Sequence, residues 1–393
     1  MKKIFILNLG TTSFKFKLYL ENEGALTVRA EGEIESVGAE RSHYTLRYAD
    51  GTAEEGDASV PEHGAGFTLF VEALHRTGEL KDLGELSAVG YKAVHGGSLS
   101  GTRPVDEELL EEMERVAPLA PAHNPIYLHT MRAIRSRYPE LTQIARFETS
   151  FHATIPACRT TYGVPYQWRE QYGIRKYGFH GSSHEYIARK MAELQPEAKR
   201  VISCHLGGSS SICAILEGKS IATSMGATPQ SGLFHNNRVG DFDPFCLPLL
   251  TQKLNCSAGD VLSALSKQSG LLGLSGVSND LRQVLEAADE GNPHAKLAVE
   301  TLVDNIVGYI GMYTAYLGGL DTLVFTGGIG LHSGVIRRLV CEKLKFMGLT
   351  LDSAANEGHD DRCVSTGNSA VSVWRLKTDE ESIVVRSVCA LLG

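Results

Sequence analysis

The first twenty residues combine a continuous apolar run with a segment that alternates between hydrophobic and polar positions, and together these patterns predict a β-hairpin. The strand IFILN is followed by the polar turn LGTTS and then by FKFKLYL, in which Phe14, Phe16 and Leu18 share one face and Lys15 and Lys17 the other. The same order recurs near the middle of the chain as VISCHL, the turn GGSSS and ICAIL. This repetition predicts two related halves.

Several stretches with a helical pattern lie between these hairpins and after them. They occupy EELLEEMERV, NPIYLHTMRAI, SSHEYIARKMAEL and a long apolar stretch that begins at Pro293. Asn124 is predicted to cap the second of these helices, and Ser182 and Glu185 have the spacing of a capping box for the third. A third apolar strand, LVF, ends in TGGIG and precedes another helix. The alternation of strands and helices predicts an α/β protein.

A chain of 393 residues is long enough for two domains, each with its own core. We place the boundary near the segment RFETSFH, where the second half begins. The N-terminal domain is then expected to span residues 1–150 and the C-terminal, nucleotide-binding domain residues 151–380. The last helix, over residues 381–393, is predicted to return to the first domain.

The overall charge argues against two classes of partner. Lys and Arg total 38 against 46 acidic residues, and the net charge of −8 gives no long-range attraction for nucleic acid or an anionic membrane. No apolar stretch approaches the roughly 20 residues that span a bilayer, and the chain opens directly into a strand, so we expect a cytoplasmic protein. The 8 cysteines include no C-x-x-C pair, which predicts buried reduced thiols.

Three apolar strands end in glycine-rich turns, which are LGTTS, HLGGSSS and TGGIG. One such turn commonly does no more than reverse the chain. Three of them together favour phosphate binding by backbone N–H groups. Neither GxxxxGK[ST] nor GxGxxG follows a strand, which excludes a standard P-loop and a dinucleotide-binding fingerprint.

Polar residues cluster in short segments of otherwise apolar sequence, which are YKAVHGG, PAHNP, RFETSFH, KYGFHGSSH and NNRVGDFDP. His180 lies between Gly178 and Gly181, which allow the backbone to come close to a ligand. Arg238 lies in a loop whose glycine and proline favour an ordered conformation over a simple surface ion pair. Glu148 lies between two phenylalanines and is predicted to be a partly buried acid.

Motifs follow one another in the order NLGTTSFK, VHGG, AHNP, FETSFH, YGFHGSSH, HLGG, TSMGATP, RVGDFDP, SNDLR, FTGGIG and TDEE. In this order the chain resembles the acetate and propionate kinases over essentially its whole length. The resemblance implies an actin-like ATPase (ribonuclease H-like) fold, with two duplicated α/β domains around a nucleotide cleft, and a homodimer. It also implies transfer of the γ-phosphoryl group of ATP to a short-chain carboxylate, which gives an acyl phosphate and ADP, with Mg²⁺ or alternatively Mn²⁺.

The resemblance implies a role for each matching residue. The catalytic group is Lys92, His123, Glu148, His180 and Arg238. The nucleotide-binding group is Thr11, Ser13, Lys15, His205, Gly207, Gly208, Ser209, Asp280, Leu281, Arg282, Gly327, Gly328 and Gly330. The carboxylate pocket is Lys92, Val94, Ala122, Phe179 and Pro229, and the metal-binding residues are Asn8 and Glu380, with Glu381 as the alternative to Glu380.

Several matching positions differ from the family pattern. Lys92 replaces an arginine, which keeps the charge but loses the bidentate fork, and Glu148 replaces an aspartate. This chain has HLGGS where the family has HLGNG, so position 208 is a glycine and lacks the asparagine side chain. It has GGIGLH where the family has GGIGEN, so Leu331 and His332 replace a glutamate and an asparagine. HNNRVG stands for MGTRSG. The opposite length changes at Lys92 and Glu148 lead to the hypothesis that these two side chains rebuild one contact.

The acyl pocket also differs, because Ala122 stands where the family usually has leucine. The smaller side chain leaves room for about one to three methylene groups, each worth up to roughly 0.8 kcal/mol when buried. We therefore expect a preference for propionate, butyrate or another acid longer than acetate. A carboxylic acid is already ionised at pH 7, so Glu148 is expected to orient other groups rather than remove a proton.

The departures also leave two alternatives open. One is the same fold with another phosphoryl donor, such as pyrophosphate, or with an unusual acid. The other is a nucleotide-binding or regulatory protein without turnover.

Overall fold

The computed structural model describes all 393 residues. Its strands are β1 (Lys2–Leu9), β2 (Ser13–Asn22), β3 (Ala25–Glu35), β4 (Ser42–Tyr48), β5 (Ala53–Ala58), β6 (Leu86–Ala93), β7 (Thr102–Pro104), β8 (Gln143–Phe147), β9 (Arg200–His205), β10 (Ser211–Leu216), β11 (Lys219–Thr223), β12 (Thr322–Thr326), β13 (Arg362–Cys363) and β14 (Ser372–Arg375). Its helices are α1 (His63–Thr77), α2 (Glu107–Arg115), α3 (Asn124–Arg137), α4 (Ala157–Thr160), α5 (Tyr166–Tyr172), α6 (Gly181–Leu194), α7 (Leu247–Leu254), α8 (Ala258–Lys267), α9 (Gly270–Ser275), α10 (Leu281–Asp289), α11 (Pro293–Leu317), α12 (Gly327–His332), α13 (Gly334–Lys343), α14 (Ser353–Asn356) and α15 (Glu380–Leu392). No helix has the length and apolar character needed to cross a membrane.

The chain divides into two compact units. Unit 1 comprises Met1–Ala153 and Asp379–Gly393, and unit 2 comprises Thr154–Thr378. Each unit combines one mixed β-sheet with helices, which confirms the α/β class. All eight cysteines are free thiols, as predicted, but only Cys204, Cys213 and Cys341 are buried, so the predicted burial is wrong for the other five.

The sheet of unit 1 has eight strands in the order β5-β4-β3-β2-β1-β6-β8-β7. β1, β6 and β8 are parallel to one another, whereas β2 pairs with β1 in the antiparallel sense. Side chains of β1 alternate between two cores. Phe5 and Leu7 pack in the larger core with α1, α2 and α3, while Ile4 and Ile6 pack against Val384 of α15. The parallel strands and the start of α15 therefore meet at one end of the sheet.

The sheet of unit 2 has six strands in the order β11-β10-β9-β12-β14-β13, with β9, β12 and β14 parallel. The long helix α11 contributes much of the core that covers this sheet. β9 and β12 are neighbours, and both end in glycine-rich turns. The backbone of Leu206 joins the two turns, because its N–H donates to Thr326 O (2.8 Å) and its carbonyl accepts from Ile329 (2.8 Å) and Gly330 (3.1 Å).

Two helices begin differently from the sequence prediction. The residue before α3 is His123, and Asn124 does not cap the helix, because its side chain instead donates to two backbone carbonyls. α6 begins at Gly181 after His180, so the capping box predicted at Ser182 and Glu185 is wrong. His180 has a φ of +57°, in the left-handed region. This turn of the backbone starts the helix earlier and buries Ser182 in its first turn.

Candidate functional site

The carboxyl ends of β1, β6 and β8 and the first turn of α15 bring five polar side chains together in unit 1. We call them the Lys92 cluster: Asn8, Lys92, Glu148, Glu380 and Glu381. Lys92 Nζ forms an ion pair with Glu380 Oε2, and these side chains are 15% and 16% exposed. Asn8 Nδ2 donates to Glu381 Oε1 (3.2 Å), so the acid beside Asn8 is Glu381, the alternative in the sequence prediction.

Lys92 remains a cation despite its burial. Burial lowers the pKa of the ammonium, but the carboxylates of Glu380, Glu148 and Glu381, in that order, outweigh it and hold the pKa above its ordinary value. The direct partner of Lys92 is thus Glu380. Glu148, the partner in the sequence hypothesis, acts on Lys92 through its charge.

Glu148 is held by the strand that carries Lys92. It follows β8 directly, and its backbone N–H donates to Ala93 O of β6 (2.8 Å). The residue is 6% exposed, and the neighbouring Phe147 lies in the core of unit 1. The prediction of a partly buried acid between two aromatic residues is confirmed.

The first glycine-rich turn is a tight reversal between β1 and β2. Gly10 N–H donates to Ser13 O (2.9 Å), and His63 Nε2 lies 2.9 Å from Gly10 O. Thr11 is exposed, and its hydroxyl donates to Ala122 O (3.4 Å). This hydrogen bond joins the turn to the loop before α3, which carries His123. Val94, the residue after β6, is half-buried and packs against the core of unit 1.

A cavity of about 180 Å³ lies over β2, β3 and β4 in unit 1. Its walls include Asn8, Lys15, Lys17 and Glu381. Lys15 pairs with Glu33 (2.8 Å), while Lys17 lies 3.8 Å from Glu381. The cavity therefore adjoins the Lys92 cluster through Asn8 and Glu381.

In unit 2 a chain of hydrogen bonds fixes the rings of three histidines. Nδ1 of His180 is bonded to Ser211 Oγ (2.8 Å), and the same hydroxyl is bonded to Nε2 of the fully buried His184 (2.8 Å). His205 stacks on His180 with ring centroids 4.3 Å apart, and Nδ1 of His205 is bonded to Ser183 Oγ (2.7 Å). The arrangement holds His180 in one orientation at the start of α6.

Arg238 lies on a loop that packs against the second glycine-rich turn. Its Nη1 donates to Ser209 Oγ and to Pro229 O (3.2 Å each), and both partners are neutral. Burial lowers the pKa of this guanidinium. Asp241, three residues further along the same loop, accepts a hydrogen bond from Tyr309 (2.5 Å) and forms no ion pair with Arg238. Arg238 thus keeps donors that no carboxylate occupies.

The remaining predicted nucleotide residues lie in two other parts of unit 2. Asp280 caps α10, and its neighbour Arg282, which is 90% exposed on its side chain, lowers the pKa of Asp280 to about 2. Leu281 is part of the core. Gly327 has a φ of +73°, and a Cβ there would lie 2.5 Å from Leu206 O, so this position requires glycine.

Several residues that shape the site were absent from the sequence prediction. His184 and Ser211 orient His180, and their signal was the HGSSH spacing, which places two histidines one helical turn apart. Arg337, which is fully buried, donates to the carbonyls of Gly330 and Leu331 and so fixes the third glycine-rich turn. No local pattern in the sequence marks such a contact.

Comparison with known proteins decides the family. Residues 3–386 match the model of the acetokinase family. The chain belongs to this family. It is 40% identical to an acetate kinase of Bacillus velezensis over 100% of both chains, and 40% identical to a propionate kinase of Citrobacter rodentium over 98% of this chain and 96% of the relative.

Solved structures of acetokinase family members have the same fold. The crystal structure of Porphyromonas gingivalis acetate kinase covers 100% of both chains with a TM-score of 0.89 and 35% identity. A propionate kinase from Francisella tularensis covers 98% of this chain and 99% of its own, with a TM-score of 0.89 and 32% identity. The predicted actin-like fold and the predicted activity, ATP-dependent phosphorylation of a short-chain carboxylate, are thereby confirmed. Membership also implies ATP and ADP as nucleotides and a divalent metal.

Proposed function

We propose that the preferred acceptor of this carboxylate kinase is longer than acetate, with propionate and butyrate as the first candidates. The observation that carries the proposal is the alanine at position 122. Ala122 is exposed, and the hydrogen bond from Thr11 is made to its backbone carbonyl, so its methyl group fills little space. A longer acyl chain would find apolar contact there at roughly 0.8 kcal/mol per buried methylene.

The Lys92 cluster is proposed to serve the acid and the metal. Lys92 attracts the carboxylate of the acceptor, and Glu148 and Glu380 keep the ammonium charged. His123, which precedes α3, is proposed to face the transferring group. Val94, Ala122, Phe179 and Pro229 are proposed to contact the acyl chain.

The groups of unit 2 are proposed to hold the nucleotide and the transferring phosphoryl group. Arg238 supports this role because its guanidinium is largely buried and has neutral partners, a state that favours binding of an anion. His180 is proposed to act beside it. The remaining nucleotide-binding residues are His205, Gly207, Gly208, Ser209, Asp280, Leu281, Arg282, Gly327, Gly328 and Gly330, together with Thr11, Ser13 and Lys15 of unit 1.

We propose Mg²⁺ as the divalent metal. The side chains of Asn8, Glu380 and Glu381 offer the hard oxygen ligands that Mg²⁺ prefers. No three acidic, histidine or cysteine side chains converge as a complete metal site. This arrangement fits Mg²⁺, which commonly takes one or two carboxylates together with substrate phosphates. When bound, the ion would neutralise phosphate charge.

The transfer itself needs positioning and electrostatic stabilisation more than proton chemistry. One oxygen of the acceptor carboxylate forms a bond to the γ-phosphorus while the bond to the β–γ bridging oxygen breaks, which releases ADP. Because the acid is ionised at pH 7, no proton has to move. We therefore assign Glu148 an orienting role.

A homodimer is proposed from an exposed apolar surface on unit 2. The segment that includes α7 and α8 exposes Phe242, Phe245, Leu249, Leu254 and Leu262, and Phe245 is 87% exposed. Such a surface on one protein is typical of an interaction site. Sedimentation of the wild type and of Phe245→Glu tests this proposal, since a dimer in both or a monomer in both would refute the role of Phe245.

Hydroxylamine trapping of the acyl phosphate tests the proposed acceptor. The purified protein is given ATP, Mg²⁺ and acetate, propionate, butyrate or valerate, and kcat/KM is measured for each acid. We expect a higher kcat/KM for at least one longer acid, and Ala122→Leu should shift the preference toward acetate. Equal or better use of acetate by the wild type would refute the proposal. Product formed with pyrophosphate and not with ATP would show a different donor.

A further inference from the structure

Position 208 lies at the tip of the second glycine-rich turn and carries no side chain. Gly208 is exposed, and its φ lies outside the left-handed region that favours glycine. A Cβ on Gly208 would have one neighbour within 4 Å, the Nδ2 atom of Asn236 at 3.8 Å. Neither backbone conformation nor crowding therefore explains the glycine, and the nearest side chain is a carboxamide from another loop.

Asn236 is held against this turn by its backbone. Its N–H donates to Gly208 O (3.4 Å), and its carbonyl accepts from Leu272 (2.9 Å). Contacts on both sides keep the two segments in register: Ser210 N–H donates to His235 Nδ1 (2.7 Å), and Arg238 donates to Ser209 Oγ (3.2 Å). The backbone of Asn236 is thus fixed beside Gly208, on the loop that also carries Arg238.

The side chain of Asn236 forms no hydrogen bond within the chain. Its Oδ1 atom is buried and has no partner, which costs on the order of 1–3 kcal/mol. Packing and internal hydrogen bonding therefore do not account for an asparagine here. Oδ1 accepts hydrogen bonds only from a donor, whereas Nδ2 is the donor of this carboxamide, has no partner within the chain, and lies 3.8 Å from the position that a Cβ on Gly208 would take.

The two sequence departures on these loops are reciprocal. In the resemblance, HLGGS replaces the asparagine of HLGNG by Gly208, and HNNRVG replaces the glycine of MGTRSG by Asn236. We propose that Asn236 supplies, from the adjacent loop, the carboxamide that is missing at position 208, and that its Nδ2 donates to a phosphate oxygen of the nucleotide. The proposal rests on the use of unit 2 for the nucleotide.

An exchange of the two residues tests the proposal. The variants are Asn236→Gly, the double variant Asn236→Gly/Gly208→Asn, and Asn236→Asp, which keeps the shape but replaces the donor by an anion. Asn237→Gly is the matched control, because Asn237 is the next residue of the loop and its side chain forms no hydrogen bond. Thermal melts show that each variant is folded.

We expect Asn236→Gly to lower kcat/KM for ATP by about 10- to 100-fold, the range for a hydrogen bond to a charged group, with the KM of the acid changed less than about threefold. The double variant should recover to within about fivefold of the wild type, and Asn236→Asp should be worse than Asn236→Gly. An unchanged Asn236→Gly, or a double variant no better than the single one, would overturn the proposal.

Titration calorimetry with ATP and ADP separates this proposal from the choice of acid. Nucleotide affinity requires no turnover and no acceptor, so it can be compared among the same variants. A wild type that binds nucleotide but gives no hydroxamate with any acid would contradict the proposed acceptor alone. Equal nucleotide affinity and equal kcat/KM for ATP in the wild type and Asn236→Gly would contradict the role of Asn236 alone.

Discussion

Removal of the ammonium group of Lys92 is the most direct test of the cluster in unit 1. Lys92→Met keeps a long apolar stem but leaves Glu380, Glu148 and Glu381 without their buried cation. Loss of one partner from a fully buried ion pair costs about 3–5 kcal/mol, and loss from an exposed pair about 0–1 kcal/mol. Since Lys92 and Glu380 are 15% and 16% exposed, we expect a loss of about 2–4 kcal/mol of unfolding free energy.

A double-mutant cycle measures how much of this loss comes from the pair. The variants are Lys92→Met, Glu380→Gln and their combination, with a second cycle in which Glu148→Gln replaces Glu380→Gln. We expect a coupling of about 1–3 kcal/mol between Lys92 and Glu380 and a smaller one with Glu148, because Lys92 forms its hydrogen bond with Glu380 and interacts with Glu148 through charge.

The assay is urea unfolding of the protein without nucleotide, followed by far-ultraviolet circular dichroism. Fluorescence is less informative, because Trp168 and Trp374 both lie in unit 2. Hydrogen exchange of peptides from β6 and α15 gives a second, local measurement. Additive effects of Lys92→Met and Glu380→Gln within about 0.5 kcal/mol would refute the reasoning, as would a larger coupling with Glu148.

Three further predictions concern unit 2. Burial, with a smaller effect from the charge of Arg238, lowers the pKa of His235 from 6.5 to about 3. The unfolded chain therefore binds more protons than the folded chain between these pH values, and the free energy of unfolding should fall as the pH drops below about 6.5. Melting temperatures measured between pH 4.5 and 7 should vary less with pH for His235→Met than for the wild type. Arg337→Met removes a fully buried guanidinium from the third glycine-rich turn, and we expect a loss of about 3–5 kcal/mol in urea unfolding and a higher KM for ATP. Ser211→Ala frees the ring of His180, and kcat should fall by about 10- to 100-fold while KM for the acid changes less than about threefold, measured by hydroxamate formation.

Local patterns in the sequence were sufficient to predict the elements that carry the site. Strand β2 follows from alternation, and β1, β9 and β10 follow from short apolar runs that end in polar turns. Helices α2, α3 and α6 follow from helical spacing, because this period is a property of the local backbone. The first residue of each helix was harder to predict from the sequence. The left-handed conformation of His180 depends on its contacts with Ser211 and His205, which lie more than 20 residues away.

Pairings across the cluster could not be predicted from sequence spacing. The side chain of Lys92 is shorter than the arginine of the family, and that of Glu148 is longer than the aspartate, so the sequence suggested that these two residues form a pair. In the structure the ion pair instead joins Lys92 to Glu380, 288 positions later. The reason lies in the packing of α15, whose valines bury against β1 and β6 and so bring its acidic first turn to the end of β6. Complementary changes in side-chain length at two positions therefore do not identify the ion-pair partner of Lys92 when another element with acidic residues, here α15, packs at the same end of the sheet.

The charges of this cluster give an independent physical reason for the divalent metal of the family. The charged groups joined there by ion pairs or by their effect on Lys92 are Lys17, Lys92, Glu31, Glu148, Asp379, Glu380 and Glu381. Two cations stand against five carboxylates, so negative charge is in excess in this group. A carboxylate acceptor and a nucleotide phosphate are also anions, and like charges within a few ångströms repel strongly where water is excluded. A divalent cation bound beside Asn8, Glu380 and Glu381 would offset two of these charges. Since Lys92 is already engaged by Glu380, the acceptor that we propose for this cluster would meet less repulsion when that cation is present.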